Sequence, residues 1–136
     1  MLPLRYQRRW QFAGAFFLLS VLAGTLIPAF WLWPDISRVT LIDFDKWLHG
    51  FTFAFLAVWF SGQYSRNRYW GIGIGLFLFG IVIELCQRMV SYRTAELMDL
   101  AADTVGIALG LIIALAGVGG WSLRIEERLQ RRPDAA

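Results

Sequence analysis

The feature that most constrains this chain is a series of long apolar stretches that contain few or no charged residues. They run over residues 12–33, 47–65, 69–90 and 100–121. Each has about the 20 residues that a helix needs to cross roughly 30 Å of hydrocarbon. Backbone polar groups in lipid must be satisfied within helices or a closed barrel, and no alternating pattern indicates a barrel. The stretches therefore predict an all-α membrane protein with a four-transmembrane-helix bundle.

The composition excludes other classes of protein. Apolar residues make up 57% of the 136 positions and charged residues 17%. In soluble domains the apolar fraction is about 45–50% and the charged fraction about 25%. A disordered chain would have low hydrophobicity and high charge instead. A disulfide-stabilised fold is excluded because Cys86 has no second cysteine with which to form a disulfide. Four spans leave room only for tails and short loops, so residues 1–136 are predicted to form a single domain.

The first stretch has two interpretations. Arg5, Arg8 and Arg9 precede it, as in a secretory signal peptide, but a signal peptide has an apolar region of only 7–15 residues. This stretch is longer and continues into the bulky sequence FWLW. We predict a retained membrane helix, bent at Pro28 where a backbone donor is missing.

The basic residues predict the orientation of the bundle. With four spans, the tails and the middle loop share one face of the membrane. That face carries Arg5, Arg8, Arg9, Arg66, Arg68, Arg124, Arg128, Arg131 and Arg132, and the other carries Arg38, Lys46, Arg88 and Arg93. Most acidic residues lie on the second face. By the positive-inside rule, both termini are expected in the cytoplasm.

Polar residues recur at helical spacing toward the outer ends of three spans. They are Asp45, Lys46 and His49 on the second, Glu84, Gln87 and Arg88 on the third, and Asp99 and Asp103 on the fourth. Ionisable groups inside a membrane nearly always face the interior of a bundle and are paired. We therefore expect these stripes to converge on an outward-facing polar cavity. The alternative is that they only hold helices together, at about 0.6 kcal/mol for each contact.

Specific chemistry is less well defined by these residues. His49 is the only histidine, so a metal set of Asp45, His49, Glu84 and Asp103 would be unusually rich in carboxylates. We therefore expect no metal and no cofactor. General acid or base catalysis by His49 with Glu84 or Asp103 stays open, although the sequence indicates no substrate bond.

Two glycine pairs and the basic isoelectric point complete the pattern. Gly71 with Gly75, and Gly106 with Gly110, have the GxxxG spacing that allows helices to approach closely. We interpret them as packing sites within the bundle, with homo-oligomer formation as the alternative. The arginines flank membrane spans, so nucleic acid is not an expected partner.

The spaced polar residues resemble the VanZ-like family of small bacterial membrane proteins. The segments that carry the resemblance are DKWLHGFTFAFLA from Asp45 and ELCQRMVSYRTAELMDLAADTVGIALG from Glu84. The family pattern is Asp-Lys-x-x-His on one helix, Glu-x-x-Gln with a following Arg on the next, and Asp-x-x-x-Asn/Asp-Thr-x-Gly on the last. It falls on Asp45, Lys46, His49, Glu84, Gln87, Arg93, Asp99, Asp103, Thr104 and Gly106. Asp103 stands where many members have Asn.

The resemblance implies a multi-pass protein of the bacterial inner membrane. The family is associated with resistance to teicoplanin, a lipid-anchored glycopeptide, and the activity of most members is not established. A lipid-linked or amphiphilic envelope molecule is thus the expected ligand, with Lys46, Arg88 and Arg93 facing any phosphate. The expected binding residues are Asp45, Lys46, His49, Glu84, Gln87, Arg88, Arg93, Asp99, Asp103 and Thr104. The alternatives are a membrane-embedded enzyme that uses His49 with Glu84 or Asp103, and a structural or transport subunit.

Overall fold

A computed structural model describes residues 1–27, 38–90 and 97–130, without the side chains of 38–43. Within these ranges the chain forms helices and no strand, which confirms the all-α prediction. The helices are α1 (Gln7–Leu26), α2 (Arg38–Ser61), α3 (Tyr69–Arg88), α4 (Leu97–Ile113) and α5 (Trp121–Gln130). A 3-10 turn, Arg66–Arg68, precedes α3, and a π-helical turn, Ala114–Val118, follows α4.

Three helical stretches of the described part are long and apolar enough to cross a membrane. They are Gln7–Leu26, Arg66–Arg88 and Leu97–Gln130. At most 28% of their most apolar windows is buried inside the protein, and large apolar side chains such as Phe12 and Trp70 lie mostly exposed. Helices that expose apolar side chains on their outer faces are suited to contact lipid rather than water.

The helix bounds differ from the predicted spans at the starts of α1 and α2, and the predicted fourth span of residues 100–121 runs past the end of α4 at Ile113. α1 begins at Gln7 rather than at residue 12, and α2 begins at Arg38 rather than near residue 47. Residues 38–46 are too polar to be recognised from hydropathy, but they continue the same helix. As a result, Asp45 and His49 lie about two and three turns into α2 rather than at its start. The predicted bend at Pro28 lies outside the described residues.

The closest helix pair is α2 and α4, and its contact depends on glycine. A Cβ atom at Gly106 would collide with the carbonyl oxygen of Gly50, and one at Gly110 would collide with that of Ala54. These pairs advance together along both helices, so α2 and α4 run parallel. Phe53 and Ile107 are buried beside this contact, in the hydrophobic core. The packing interpretation of the second glycine pair is thus confirmed.

The first glycine pair behaves differently. Among the described residues, nothing lies within 4 Å of the position that a Cβ atom would take at Gly71 or at Gly75. Both glycines border an apolar groove of about 420 Å³ between α1 and α3. Packing against the described residues therefore does not explain this pair, and the packing interpretation of it stays a prediction.

The N-terminal segment is bound to α5. The carboxylate of Glu126 accepts hydrogen bonds from the backbone N–H groups of Arg5 at 2.7 Å and Tyr6 at 3.1 Å, and from the indole of Trp10 at 2.8 Å. The ring of Trp10 also contacts that of Trp121, with centroids 5.3 Å apart. The N-terminal segment and α5 therefore lie at the same end of the bundle, which we call the terminal end.

Candidate functional site

The buried polar residues of α2, α3 and α4 meet at the opposite end of the bundle. This set, which we call the polar cluster, comprises Asp45, His49, Glu84, Gln87, Asp99 and Asp103. All except the partly buried Asp45 have less than 9% of their surface exposed. Each comes from the half of its helix that points away from the terminal end. The expected convergence of the three stripes is therefore present in the fold.

A direct hydrogen bond joins α2 to α4 at the centre of the polar cluster. Nδ1 of His49 lies 2.9 Å from Oδ1 of Asp103. Because an ionised carboxylate can only accept, we assign the ring N–H of this bond to Nδ1. Asp103 is fully buried and His49 is 3% exposed. The bond leaves Nε2 of His49 and Oδ2 of Asp103 buried without a hydrogen-bond partner among the described residues. One tautomer and one orientation of the imidazole are thereby selected.

One turn nearer the end of the bundle, two more carboxylates approach His49. One oxygen from each of Asp45 and Asp99 and one ring nitrogen of His49 all lie within 4.8 Å of one another. The spacing follows from helix geometry, because Asp45 precedes His49 by four residues just as Asp99 precedes Asp103. The parallel contact between α2 and α4 then places both pairs side by side.

The third helix contributes an acid and an amide. Glu84 is buried and interacts electrostatically with His49, Asp99 and Asp103. Its Oε1 atom has no hydrogen-bond partner in the described part of the chain. The amide of Gln87 donates to the backbone carbonyl of Thr25 at 3.2 Å, which ties α3 to the end of α1.

A small cavity opens beside the polar cluster between α1 and α2. Its volume is about 140 Å³. Asp45, His49 and Thr52 line it from α2, and Gly24 and Thr25 line it from α1. The cavity has room for a few water molecules or a small polar group.

Some predicted binding residues lie at the edge of the cluster or away from it. Thr104 is exposed on α4 and its hydroxyl donates to the carbonyl of Leu100 at 2.8 Å, so it does not join the cluster. Arg88 is exposed at the last turn of α3, within electrostatic range of Glu84. Lys46 is partly buried next to Asp45. Arg93 lies outside the described residues.

Two residues that are important to the cluster were not predicted from the sequence. A Cβ atom at Gly80 would lie 2.8 Å from Oδ2 of Asp103, so glycine on α3 makes the space for this carboxylate. Gly80 precedes Glu84 by four residues and so lies on the same helix face, and this spacing could have indicated its place beside the cluster. Thr25 accepts from Gln87 through its backbone carbonyl, and a backbone contact of this kind leaves no signal in the side-chain sequence.

The buried atoms without partners indicate what the cluster can bind. Within the described ranges, the atoms that lack a hydrogen-bond partner include Oε1 of Glu84, Oε1 of Gln87 and Oδ2 of Asp103, all oxygen atoms, together with Nε2 of His49. When His49 donates through Nδ1, its neutral Nε2 is also an acceptor. The cluster is therefore suited to a group that brings hydrogen-bond donors or positive charge.

The polar cluster lies entirely within the part of the chain that matches a known family. The family model described as VanZ/LLP1 matches residues 2–118. No curated protein and no solved structure matches the chain. Because the match extends over most of the sequence and includes all three motif-bearing helices, the chain belongs to the VanZ/LLP1 family.

Proposed function

We propose that this protein binds an amphiphilic or lipid-linked molecule of the bacterial envelope, with the polar headgroup of the ligand at the polar cluster. The observation that carries this proposal is a buried set of acceptor atoms that have no hydrogen-bond partner among the described residues, next to a small cavity that His49 lines. Buried polar atoms without partners cost roughly 1–3 kcal/mol each. A ligand that supplies hydrogen-bond partners recovers that free energy. If the cluster only holds helices together, these atoms stay unpaired and the free energy is not recovered.

The proposed topology follows from the position of the termini. Three stretches are long and apolar enough to cross, and the N-terminal segment contacts α5 at the terminal end. A chain whose two ends lie on one side of a membrane crosses it an even number of times. We therefore propose α2 as the fourth span. Its 24 residues extend about 36 Å, which is sufficient.

The proposed orientation places the terminal end in the cytoplasm. Arg5, Arg66, Arg68, Arg124 and Arg128 belong to the segments at that end. Basic residues favour the cytoplasmic side of the inner membrane. The polar cluster then faces the outer leaflet, where lipid-linked precursors and lipid-anchored glycopeptides expose their headgroups.

The interior and the margin of the polar cluster favour different chemical groups in the headgroup of the ligand. The interior carries acceptors, so it suits amide or hydroxyl donors of a peptide or sugar. Lys46 and Arg88 lie at the margin and can face a phosphate. An amphiphile with a phosphate next to an amide-rich or sugar headgroup satisfies both the interior and the margin.

Native mass spectrometry of the full chain with a bacterial polar lipid extract containing polyprenyl phosphate tests the proposal. The wild type is expected to retain an amphiphile, and Glu84→Gln and His49→Ala are expected to retain at least tenfold less. Glu127→Gln removes an exposed acid on α5 and serves as the matched control. Circular dichroism checks that each variant is folded. An absence of retained lipid in the wild type, or equal retention in folded cluster variants, would contradict the proposal.

The bond between His49 and Asp103 favours a second candidate function, that of a membrane-embedded enzyme. An imidazole oriented by a carboxylate at Nδ1 can accept a proton at Nε2, and Glu84 lies within electrostatic range as the second acid-base group. If this function is correct, wild-type protein alters the chemical structure of a lipid in the extract and Glu84→Gln does not. Identical products from both proteins would reject it.

A further inference from the structure

The three-residue arrangement of Asp45, His49 and Asp99 has the donor set of a divalent metal site. It offers one imidazole nitrogen and two carboxylate oxygens, all within 4.8 Å of one another. Nitrogen and oxygen donors in this ratio are typical ligands of Zn²⁺ and Mn²⁺, which accept both donor types, whereas Ca²⁺ prefers oxygen alone.

A second observation comes from the ring of His49. Because Nδ1 is engaged by Asp103, Nε2 is the nitrogen that remains for a metal, and it is buried without a hydrogen-bond partner in the described chain. A histidine that binds a metal through one nitrogen commonly donates through the other to a carboxylate, which sets its tautomer and orientation. Asp103 holds the position of that supporting carboxylate.

The electrostatic balance of the site also favours a cation. Asp45, Asp99 and Asp103 interact electrostatically with the imidazole of His49, as does Glu84. Lys46 lies next to Asp45 in the chain, and Arg88 is within electrostatic range of Glu84. Buried charges in proteins are usually paired or coordinate a metal, because desolvation without compensation is costly. A divalent ion adds two positive charges at the point where the carboxyl groups of α2 and α4 converge.

We propose that Asp45, His49 and Asp99 form a binding site for a divalent transition-metal ion, with Asp103 as the residue that positions His49. The metal keeps at least one open coordination position toward the cavity lined by Asp45 and His49. The proposal departs from the expectation of no metal, which considered Glu84 and Asp103 as ligands. In the fold, Asp103 is the partner of Nδ1 and Asp99 takes the ligand position.

Metal binding at this site requires the donor atoms to move closer together. In a tetrahedral site with metal–ligand distances of about 2.1 Å, donor atoms lie roughly 3.4 Å apart. The donor atoms now lie within 4.8 Å of one another, so we expect the aspartate side chains to rotate toward the ion when it binds. Asp45 and Asp99 take part in other interactions as well, and each carboxylate has two oxygens, so one can bind the ion while the other keeps a partner.

The inference goes beyond ligand binding, because it concerns the cluster alone and is tested without lipid. Full-length protein is purified in detergent with a tag that contains no histidine, treated with a chelator and titrated with Zn²⁺ by isothermal calorimetry. The wild type is expected to bind about one equivalent. We expect Asp45→Asn and Asp99→Asn to weaken binding about 10–100-fold, and His49→Ala by at least that much. Glu127→Gln, which removes an exposed acid at the terminal end, is expected to bind as the wild type does.

The positioning role of Asp103 has its own readout. Asp103→Asn is expected to lower Zn²⁺ affinity about 10–100-fold, and to change the visible absorption of Co²⁺ bound at the site. Its melting temperature in chelator stays close to that of the wild type, because Asn can still accept from His49. A lower melting temperature with unchanged Co²⁺ absorption would assign Asp103 a structural role only.

Two results would overturn the metal site. One is the absence of saturable Zn²⁺ binding to the wild type, with Mn²⁺ also unbound. The other is wild-type affinity in both Asp45→Asn and Asp99→Asn. If His49→Ala does not fold, the partly buried Asp45 provides the decisive variant. Lipid retention measured in the presence of chelator separates failure of the metal site from failure of the proposed ligand binding.

Discussion

At the scale of single residues, the bond between His49 and Asp103 is the most consequential contact. Hydrogen bonds between membrane helices contribute about 0.6 kcal/mol on average. Removing one partner costs more than this, because the remaining buried group then lacks both water and a partner. The free energy of unfolding that is lost on substitution therefore depends on which residue replaces Asp103.

A pair of substitutions at Asp103 tests this asymmetry. Asp103→Asn keeps an oxygen that accepts from Nδ1 of His49 and is expected to change the free energy of unfolding by less than about 1 kcal/mol. Asp103→Ala leaves His49 unsatisfied and opens a void beside Gly80, with an expected loss of about 1–3 kcal/mol. Equilibrium unfolding in detergent measures both. Equal losses in the two variants would show that the acceptor at this position is unimportant.

At the scale of helices, the glycines between α2 and α4 determine whether the cluster forms at all. Gly106 and Gly110 allow the two backbones to approach until Gly50 and Ala54 are in contact. That approach brings His49 within hydrogen-bonding distance of the opposite helix. A small shift of α4 would separate His49 from Asp103 and Asp45 from Asp99.

Matched glycine substitutions isolate this effect. Gly106→Ala is expected to destabilise the protein by about 1–3 kcal/mol through overpacking, and to weaken Zn²⁺ binding at the adjacent polar cluster. Gly71→Ala meets nothing within 4 Å, so it is expected to be neutral or stabilising by up to about 1 kcal/mol. Thermal unfolding and calorimetry measure the two variants together. A strongly destabilised Gly71→Ala would instead indicate a contact beyond the described residues, either with another part of the chain or with a second copy.

At the scale of the whole molecule, polar contacts are concentrated at opposite ends of an apolar bundle. The polar cluster occupies one end, and Glu126 joins the N-terminal segment to α5 at the other. α5 follows a break at Gly117 and Gly120, both with positive φ, and carries four charges in ten residues. It therefore lies outside the apolar part of the preceding span.

The contact at Glu126 predicts a pH dependence. Burial alone would raise the pKa of the Glu126 carboxyl, but hydrogen bonds from Trp10, Arg5 and Tyr6 outweigh it and lower the pKa. A lowered pKa in the folded state stabilises the protein above the unfolded value of about 4.3. This stabilisation is lost as the pH falls through the lower folded value. Glu126→Gln is therefore expected to melt below wild type at pH 7, with the difference shrinking under acid conditions.

The stability difference at pH 7 is expected to be about 1–2 kcal/mol, because charge-assisted hydrogen bonds become neutral ones. Comparing wild type with Glu126→Gln at each pH removes the contribution of the other carboxyl groups. Glu127→Gln is the control, since it is exposed and adjacent. A difference that stays constant from neutral to acid pH would contradict the lowered pKa.

The proposed topology predicts which ends can be labelled from each side of the membrane. In a Cys86→Ala background, Arg88→Cys is expected to react with an impermeant maleimide in spheroplasts. Glu127→Cys and Gln7→Cys are expected to react only in inverted vesicles. Labelling of Gln7→Cys and Glu127→Cys from opposite sides would exclude an even number of crossings.

The amino-acid sequence by itself determined the helical class, the membrane-compatible stretches and the polar stripe on each helix, because hydropathy and helical periodicity are local properties. It also indicated the family through its motifs. Only the tertiary structure decided that Asp103 pairs with His49, that Asp99 approaches Asp45, and that Thr104 faces away. Those outcomes depend on the rotation and register of each helix against its neighbours. The close approach of α2 and α4 at their glycines determines both the rotation and the register. Residue spacing along a single helix does not specify them.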